Sequence, residues 1–193
     1  MVRKRLAAMF VSLLIPTFAG AAFAGPPASG RADTAEKAGR LGEALTVLHA
    51  VGQWSIELSK MADKRAKSDL VKNYAREMAT TNADKDAKLM GIAQKHGLEV
   101  APLDPQTEEG KSLLDRIKAE TVLLGSLEGD AFDKEYMTLV TNTQQSVIHF
   151  LETSKMLARD PETKQFFGDM TTAVQNRLKT AQVVLAKVYG DRI

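Results

Sequence analysis

Three histidines, His49, His96 and His149, are the side chains of this sequence best suited to acid–base or metal chemistry. A di-iron bundle needs Glu-x-x-His, which places both ligands on one helix face. That motif does not occur; the nearest arrangement is the reverse, from His149 to Glu152. His49 and His149 have no carboxylate four residues away on either side, and His96 precedes Gly97, where it is expected to face helix-end carbonyls. A copper(I) carrier would gather thioethers on one loop or face. Met61, Met78, Met90, Met137, Met156 and Met170 are instead scattered, and most of them fit helical stripes as core filling. The chain has no cysteine, so thiolate catalysis, iron–sulfur ligation and disulfides are excluded. Neither Gly-x-Ser-x-Gly nor a glycine-rich phosphate loop is found. No catalytic residue, metal ligand set or cofactor is assigned, and the chain reads as non-catalytic.

A second pattern is more informative. Four long apolar stripes are each interrupted part-way along by polar residues. Ser55 lies between Val51 and Leu58, and Thr81, Asn82 and Lys85 lie between Met78 and Leu89. Asn142 and Thr143 lie between Leu139 and Val147, and Arg177 adjoins Val174 and Leu178. If these levels coincide, Ser55, Thr81, Asn82, Asn142, Thr143 and Arg177 form a polar layer inside the fold. Arginine supplies several fixed donors and a buried guanidinium needs a counter-charge, so such a layer suits a small anion. Other charged runs, such as Asp63-Lys64-Arg65 and Asp84-Lys85-Asp86, read as solvated faces.

The elements that position these residues are helices. From about Asp33 to the C-terminus, apolar residues recur every three to four positions, with almost no alternation. A first helix is expected from Asp33 or Thr34 to about Ala66, with Trp54 near the edge of its stripe as a packing anchor. Ser68 or Asp69 can cap a second helix, which Gly97 stops. Pro102 and Pro105 make residues 98–106 a loop, and Thr107 opens a shorter helix to about Leu127. Gly129-Asp130 is expected to cap a fourth helix, and Asp160-Pro161 separates it from a last one. Four long helices and one short connector predict an all-α fold, a ferritin-like four-helix bundle with an extra short connecting helix.

The chain has 193 residues, 44% of them hydrophobic and 26% charged, which suits one sizeable core. Its opening stretch places Arg3, Lys4 and Arg5 before an apolar run that ends at Ala22-Phe23-Ala24, the pattern of a secretory signal cleaved before Gly25. The run is too short for a span of about 20 residues. Cleavage would remove three positive charges and no acid, turning a net +2 into about −1. A basic nucleic-acid binder and a polybasic membrane binder are therefore not the default readings. The expected organisation is a signal peptide over 1–24, a disordered leader over 25–33 and one helical domain over 34–190. The expected location is the bacterial periplasm, with no membrane span after cleavage. Association with the outer membrane or release from the cell stays open.

The stretches Leu58-Ser59-Lys60-Met61-Ala62, Met78 to Leu89, Gly129-Asp130-Ala131-Phe132-Asp133 with Tyr136, Phe150, and Leu178 to Gln182 carry a family resemblance. They make the chain similar to the exported bacterial family called domain of unknown function 4142, often labelled predicted outer membrane proteins, over about residues 40–188. The resemblance implies a ferritin-like bundle with no assigned biochemical function. It also implies Asp-His pairs where this chain has Thr81-Asn82 and Asn142-Thr143, a carboxylate at Ser55 and a histidine at Arg177. Hydroxyls and amides are poor transition-metal ligands and a guanidinium repels a cation, so these positions weigh against the family's metal chemistry in this chain. Two readings follow. One is a non-catalytic periplasmic binding or envelope-associated interaction protein, with an envelope protein or small ligand as partner. The alternative is a ferritin-like metal- or small-anion-binding protein that uses the polar layer.

Overall fold

The computed structural model describes residues 30–190 as five helices, with no strand among them. Residues 1–24 and the first five residues of the expected leader lie outside the described residues. α1 spans Gly30–Arg65, α2 Asp69–Lys95, α3 Glu108–Gly125, α4 Gly129–Lys155 and α5 Pro161–Tyr189. The first helix thus begins a few residues earlier than its expected start, and residues 30–33 of the leader are helical. No helix of the described residues is long and apolar enough to cross a membrane.

Local chemistry explains the boundaries. Thr107 accepts a hydrogen bond from Gly110 N at 3.1 Å and opens α3. Gly110 must be glycine there, because a Cβ would sit 2.1 Å from the Asp104 carbonyl oxygen. Asp160 accepts from Thr163 N at 2.9 Å, and Pro161 follows in the first turn of α5, where its missing N–H costs nothing. Gly190 closes α5 in the left-handed region at φ 87°. Two expected caps are corrected. Ser68 holds the N-cap position of α2 but its side chain makes no cap bond, and Glu128, not Gly129 or Asp130, holds the N-cap position of α4, likewise without a side-chain cap bond. Asp130 instead faces Lys67 Nζ at 3.0 Å on the surface.

The cap of α2 comes from α4. The Asp133 carboxylate, only 2% exposed, accepts from Lys67 N at 3.0 Å and Ser68 N at 2.7 Å. One turn on, the Tyr136 hydroxyl meets Ser59 Oγ at 3.1 Å. Phe132 lies beneath the Arg65 guanidinium, 5.4 Å from its ring centroid. Arg65 in turn donates to Gly125 O at 3.0 Å, at the C-terminal end of α3, and to Leu127 O at 2.8 Å, in the turn that follows it.

These contacts fix the topology. The end of α1 meets the start of α4, while at the opposite end His96 and Lys95 meet Thr163 and Glu162 of α5. α1–α2 and α4–α5 are therefore antiparallel hairpins, and α2 and α4 run in the same direction. The chain must return the length of the bundle between them. The loop after α2 and the 18 residues of α3, about 27 Å of helix, make that return. Trp54 secures α3 by donating from Nε1 to Thr121 Oγ1 at 3.0 Å, and the fully buried Leu124 plugs its last turn into the core. This is the ferritin-like crossover. One core cluster surrounds Phe132, Tyr136, Leu58 and Val71; a second surrounds Leu45, Leu89, Leu151 and Phe167.

His96 departs from expectation. Its backbone N–H caps α2, whereas its ring nitrogen Nε2 reaches across to Thr163 Oγ1 at 2.9 Å and Asp160 Oδ2 at 3.2 Å. Met78 and Met137 fill the core as expected, but Met90 and Met156 are exposed.

Asp133→Ala removes the acceptor of two part-buried amides and leaves a small void in its place, and is expected to cost about 1–3 kcal/mol in chemical denaturation. Asp130→Ala, which removes only an exposed ion pair, should leave the denaturation midpoint nearly unchanged. Equal midpoints for the two variants would refute the capping role of Asp133.

Candidate functional site: an apolar cavity with a polar wall

Where the two core clusters meet, the four long helices line a partly open cavity of about 70 Å³ of space accessible to water-sized molecules. Eleven of its nineteen lining residues are apolar, among them Leu48, Val51, Leu89, Val140 and Val174. The polar remainder comes from the stripe interruptions. α1 contributes Ser55, α2 contributes Asn82, Lys85 and Asp86, α4 contributes Thr143 and Gln144, and α5 contributes Arg177.

The interruptions do fall at one level. Arg177 donates through one terminal nitrogen to Asn82 Oδ1 at 2.6 Å and Thr81 Oγ1 at 3.0 Å. Asn82 Nδ2 passes the chain on to Ser55 Oγ at 2.8 Å. Thr81 lies outside the cavity wall; its hydroxyl donates to Glu77 O at 2.9 Å, so its free lone pair can receive the guanidinium. Four of the six expected site residues, Ser55, Asn82, Thr143 and Arg177, thus line the cavity and Thr81 orients the arginine. Asn142 does not join them. It is half-buried beside the stripe, and its carbonyl accepts from Ser146 Oγ at 3.2 Å.

Gln144 takes the place expected of Asn142. It continues the spacing Val140, Gln144, Val147, Leu151, which is one face of a helix, and is 4% exposed. Its Nε2 donates to the Tyr74 hydroxyl and lies 3.6 Å from Met78 Sδ. The wall keeps three buried polar atoms without a hydrogen-bond partner: Thr143 Oγ1, Gln144 Oε1 and Arg177 Nε. Native interiors rarely leave such atoms unpaired, because each costs about 1–3 kcal/mol of desolvation.

Asp84-Lys85-Asp86, expected on a solvated face, is only partly so. Asp86 lines the cavity and joins α2 to α1, with Oδ1 2.7 Å from His49 Nδ1 and Oδ2 accepting from Gln53 Nε2 at 2.7 Å. His49 therefore does have a carboxylate partner, from a different helix. Burial, with Arg177 nearby, pushes the Lys85 ammonium down from 10.5 to about 8. Burial likewise lowers the Arg177 guanidinium and raises the Tyr74 hydroxyl to about 12. Tyr136, bonded to Ser59, is raised further by its own burial. Among the described residues, no carboxylate forms an ion pair with Arg177, and no group of three or more His, Asp or Glu is placed to hold a metal.

The shifts set a pH profile. Between about pH 8 and 10.5 the unfolded chain holds the Lys85 proton and the folded chain does not, so this residue makes stability rise with pH across that window. Above about pH 10 the unfolded tyrosines ionise while Tyr74 and Tyr136 resist, and stability falls. Lys85→Met is expected to raise the urea midpoint at pH 7 and to flatten the rise between pH 8 and 10. A variant that keeps the wild-type slope would show that Lys85 is not held in the wall.

Comparison with known proteins agrees with the fold. The crystal structure of a predicted secreted protein, DUF305, from Streptomyces coelicolor superposes with a TM-score of 0.64 at 18% identity, over 81% of this chain and 96% of that one. No curated protein matches the chain. The family model described as domain of unknown function (DUF4142) matches residues 26–184, which takes in all four long helices but for the last few residues of α5. The chain belongs to the DUF4142 family.

Proposed function

We propose that the protein is an exported, non-catalytic binding protein of the bacterial envelope that holds a small ligand in the cavity between its four long helices. One observation carries this reading: Arg177 Nε, Thr143 Oγ1 and Gln144 Oε1 are buried without partners around an apolar cavity. A ligand that accepts from Arg177 Nε and Thr143 Oγ1 would remove the desolvation cost of those two donors. The free donors are the Thr143 hydroxyl and the Arg177 guanidinium, which suit an anion and disfavour a transition metal, whereas Gln144 Oε1 is an acceptor. The chemistry of the wall also fits binding better than turnover. Ser55 Oγ accepts from Asn82 and His49 is engaged by Asp86, so these two are not set up as a nucleophile and its base. Export is supported by the signal-like residues 1–24 and by the secreted description of the Streptomyces coelicolor protein of similar fold.

Gentle purification of the mature chain from its own periplasm, followed by denaturation and mass spectrometry of the released small molecules, tests the reading. Wild-type protein is expected to release a stoichiometric small anion and the Arg177→Met variant none. That variant should also unfold at a higher midpoint, since an apolar side chain of similar length replaces a guanidinium without an ion-pair partner. An empty wild-type protein, or a variant as fully loaded as wild type, overturns the proposal.

A further inference from the structure

We infer that the cavity takes a short aliphatic monocarboxylate, with the carboxylate on Arg177 and the hydrocarbon tail against the apolar wall; this rests on the binding reading above. The charge balance of the wall is the first ground. Asp86 is committed to His49 and Gln53, and the partners of Arg177 are the neutral Thr81 and Asn82. Among the described residues Arg177 has no ion pair, although the Glu77 carboxylate favours its charge from a distance, and a carboxylate in the cavity would neutralise it directly. Lys85 lies on the same wall with its ammonium already weakened by burial and by Arg177, so an anion there relieves both cations.

Hydrogen-bond direction supplies the second ground. Arg177 Nε and the Thr143 hydroxyl are free to donate, and a carboxylate has two adjacent oxygens to accept. Gln144 Oε1 is an unpartnered acceptor 4% exposed with its residue, so it repels a further anionic oxygen. Phosphate and sulfate carry polar oxygens in every direction and would set several of them against Leu89, Val140 and Val174. A carboxylate presents its oxygens on one side only and replaces the rest with methylenes.

Size sets the tail. An apolar cavity of about 150 Å³ accommodates benzene, and the space here is about half of that. The carboxylate and roughly three tail carbons fill it, so affinity should peak near butyrate and fall for a longer acid such as octanoate.

Isothermal titration of the purified full chain with sodium butyrate, inorganic phosphate and 1-butanol tests this directly. Butyrate is expected to bind one to one, and neither phosphate nor butanol to displace it. Arg177→Met should weaken butyrate binding by about tenfold or more, the loss of one charge-assisted contact. Arg177→Lys, which keeps the charge, should retain part of the binding and serves if the methionine variant does not fold. Thr143→Val should weaken binding by a smaller factor. Phosphate binding in place of butyrate overturns the carboxylate assignment and leaves the binding reading intact. Equal competition by butanol, or butyrate binding unaffected at both Arg177 and Thr143, also overturns it. If none of the probes binds, the assignment falls; a wild-type protein that is also empty when purified from its periplasm takes the binding reading with it.

Discussion

The amides of Lys67 and Ser68 lead into α2 at a part-buried corner of the protein, where each needs an acceptor. Ser68 occupies the N-cap position without capping, so an acceptor must come from elsewhere. Asp133 of α4 provides it from a position 2% exposed, and a carboxylate accepting from helix-start amides is favoured further by the dipole of α2. This contact ties the first hairpin to the second. Phe132 and Tyr136 flank it on the same helix, and through Arg65 it reaches the C-terminal end of α3 and the turn that follows it. Four helices meet at this one end of the bundle.

Helices are stiff, so a register set at one end is felt along the whole length. Thr143 and Gln144 lie about 15 Å up α4 from Asp133. They come level with Ser55 and Asn82 because Asp133 and Tyr136 have fixed how far α4 slides against α1 and α2. A slip of one residue would turn them by about 100° and bury neighbours such as Asn142 instead. The cap at the end of the bundle and the polar wall in its middle are therefore one structural problem.

The wall itself works against stability. Three unpaired polar atoms, a buried guanidinium without an ion pair and an ammonium pushed to about 8 sit where leucine or methionine would pack better. Unfavourable interior groups of this kind concentrate at sites that do something besides hold the fold. The two halves of the family resemblance divide along the same line. The stretch from Gly129 to Tyr136 that best identifies the family is the architectural joint, whereas the positions Thr81-Asn82 and Asn142-Thr143, where this chain differs from the implied Asp-His pairs, fall at the level of the cavity. Membership thus speaks for the fold.

Helix periodicity, proline and glycine positions and the capping threonine at 107 are local properties, and they determined the five helices and their order without any tertiary information. The four-residue spacing of apolar side chains likewise placed Ser55, Asn82, Thr143 and Arg177 on inward faces, and the polar layer was legible for that reason. What the sequence could not supply was distance between helices. That Ser68 is capped by a residue 65 positions away, that His96 binds Thr163, and that Asp86 leaves its charged run to hold His49 all depend on which helices are neighbours. Asn142 and Gln144 show the limit most clearly. Both are amides within two residues of Thr143, and only the rotation of α4 against its neighbours, set by Asp133 and Tyr136, decides which of them faces the cavity.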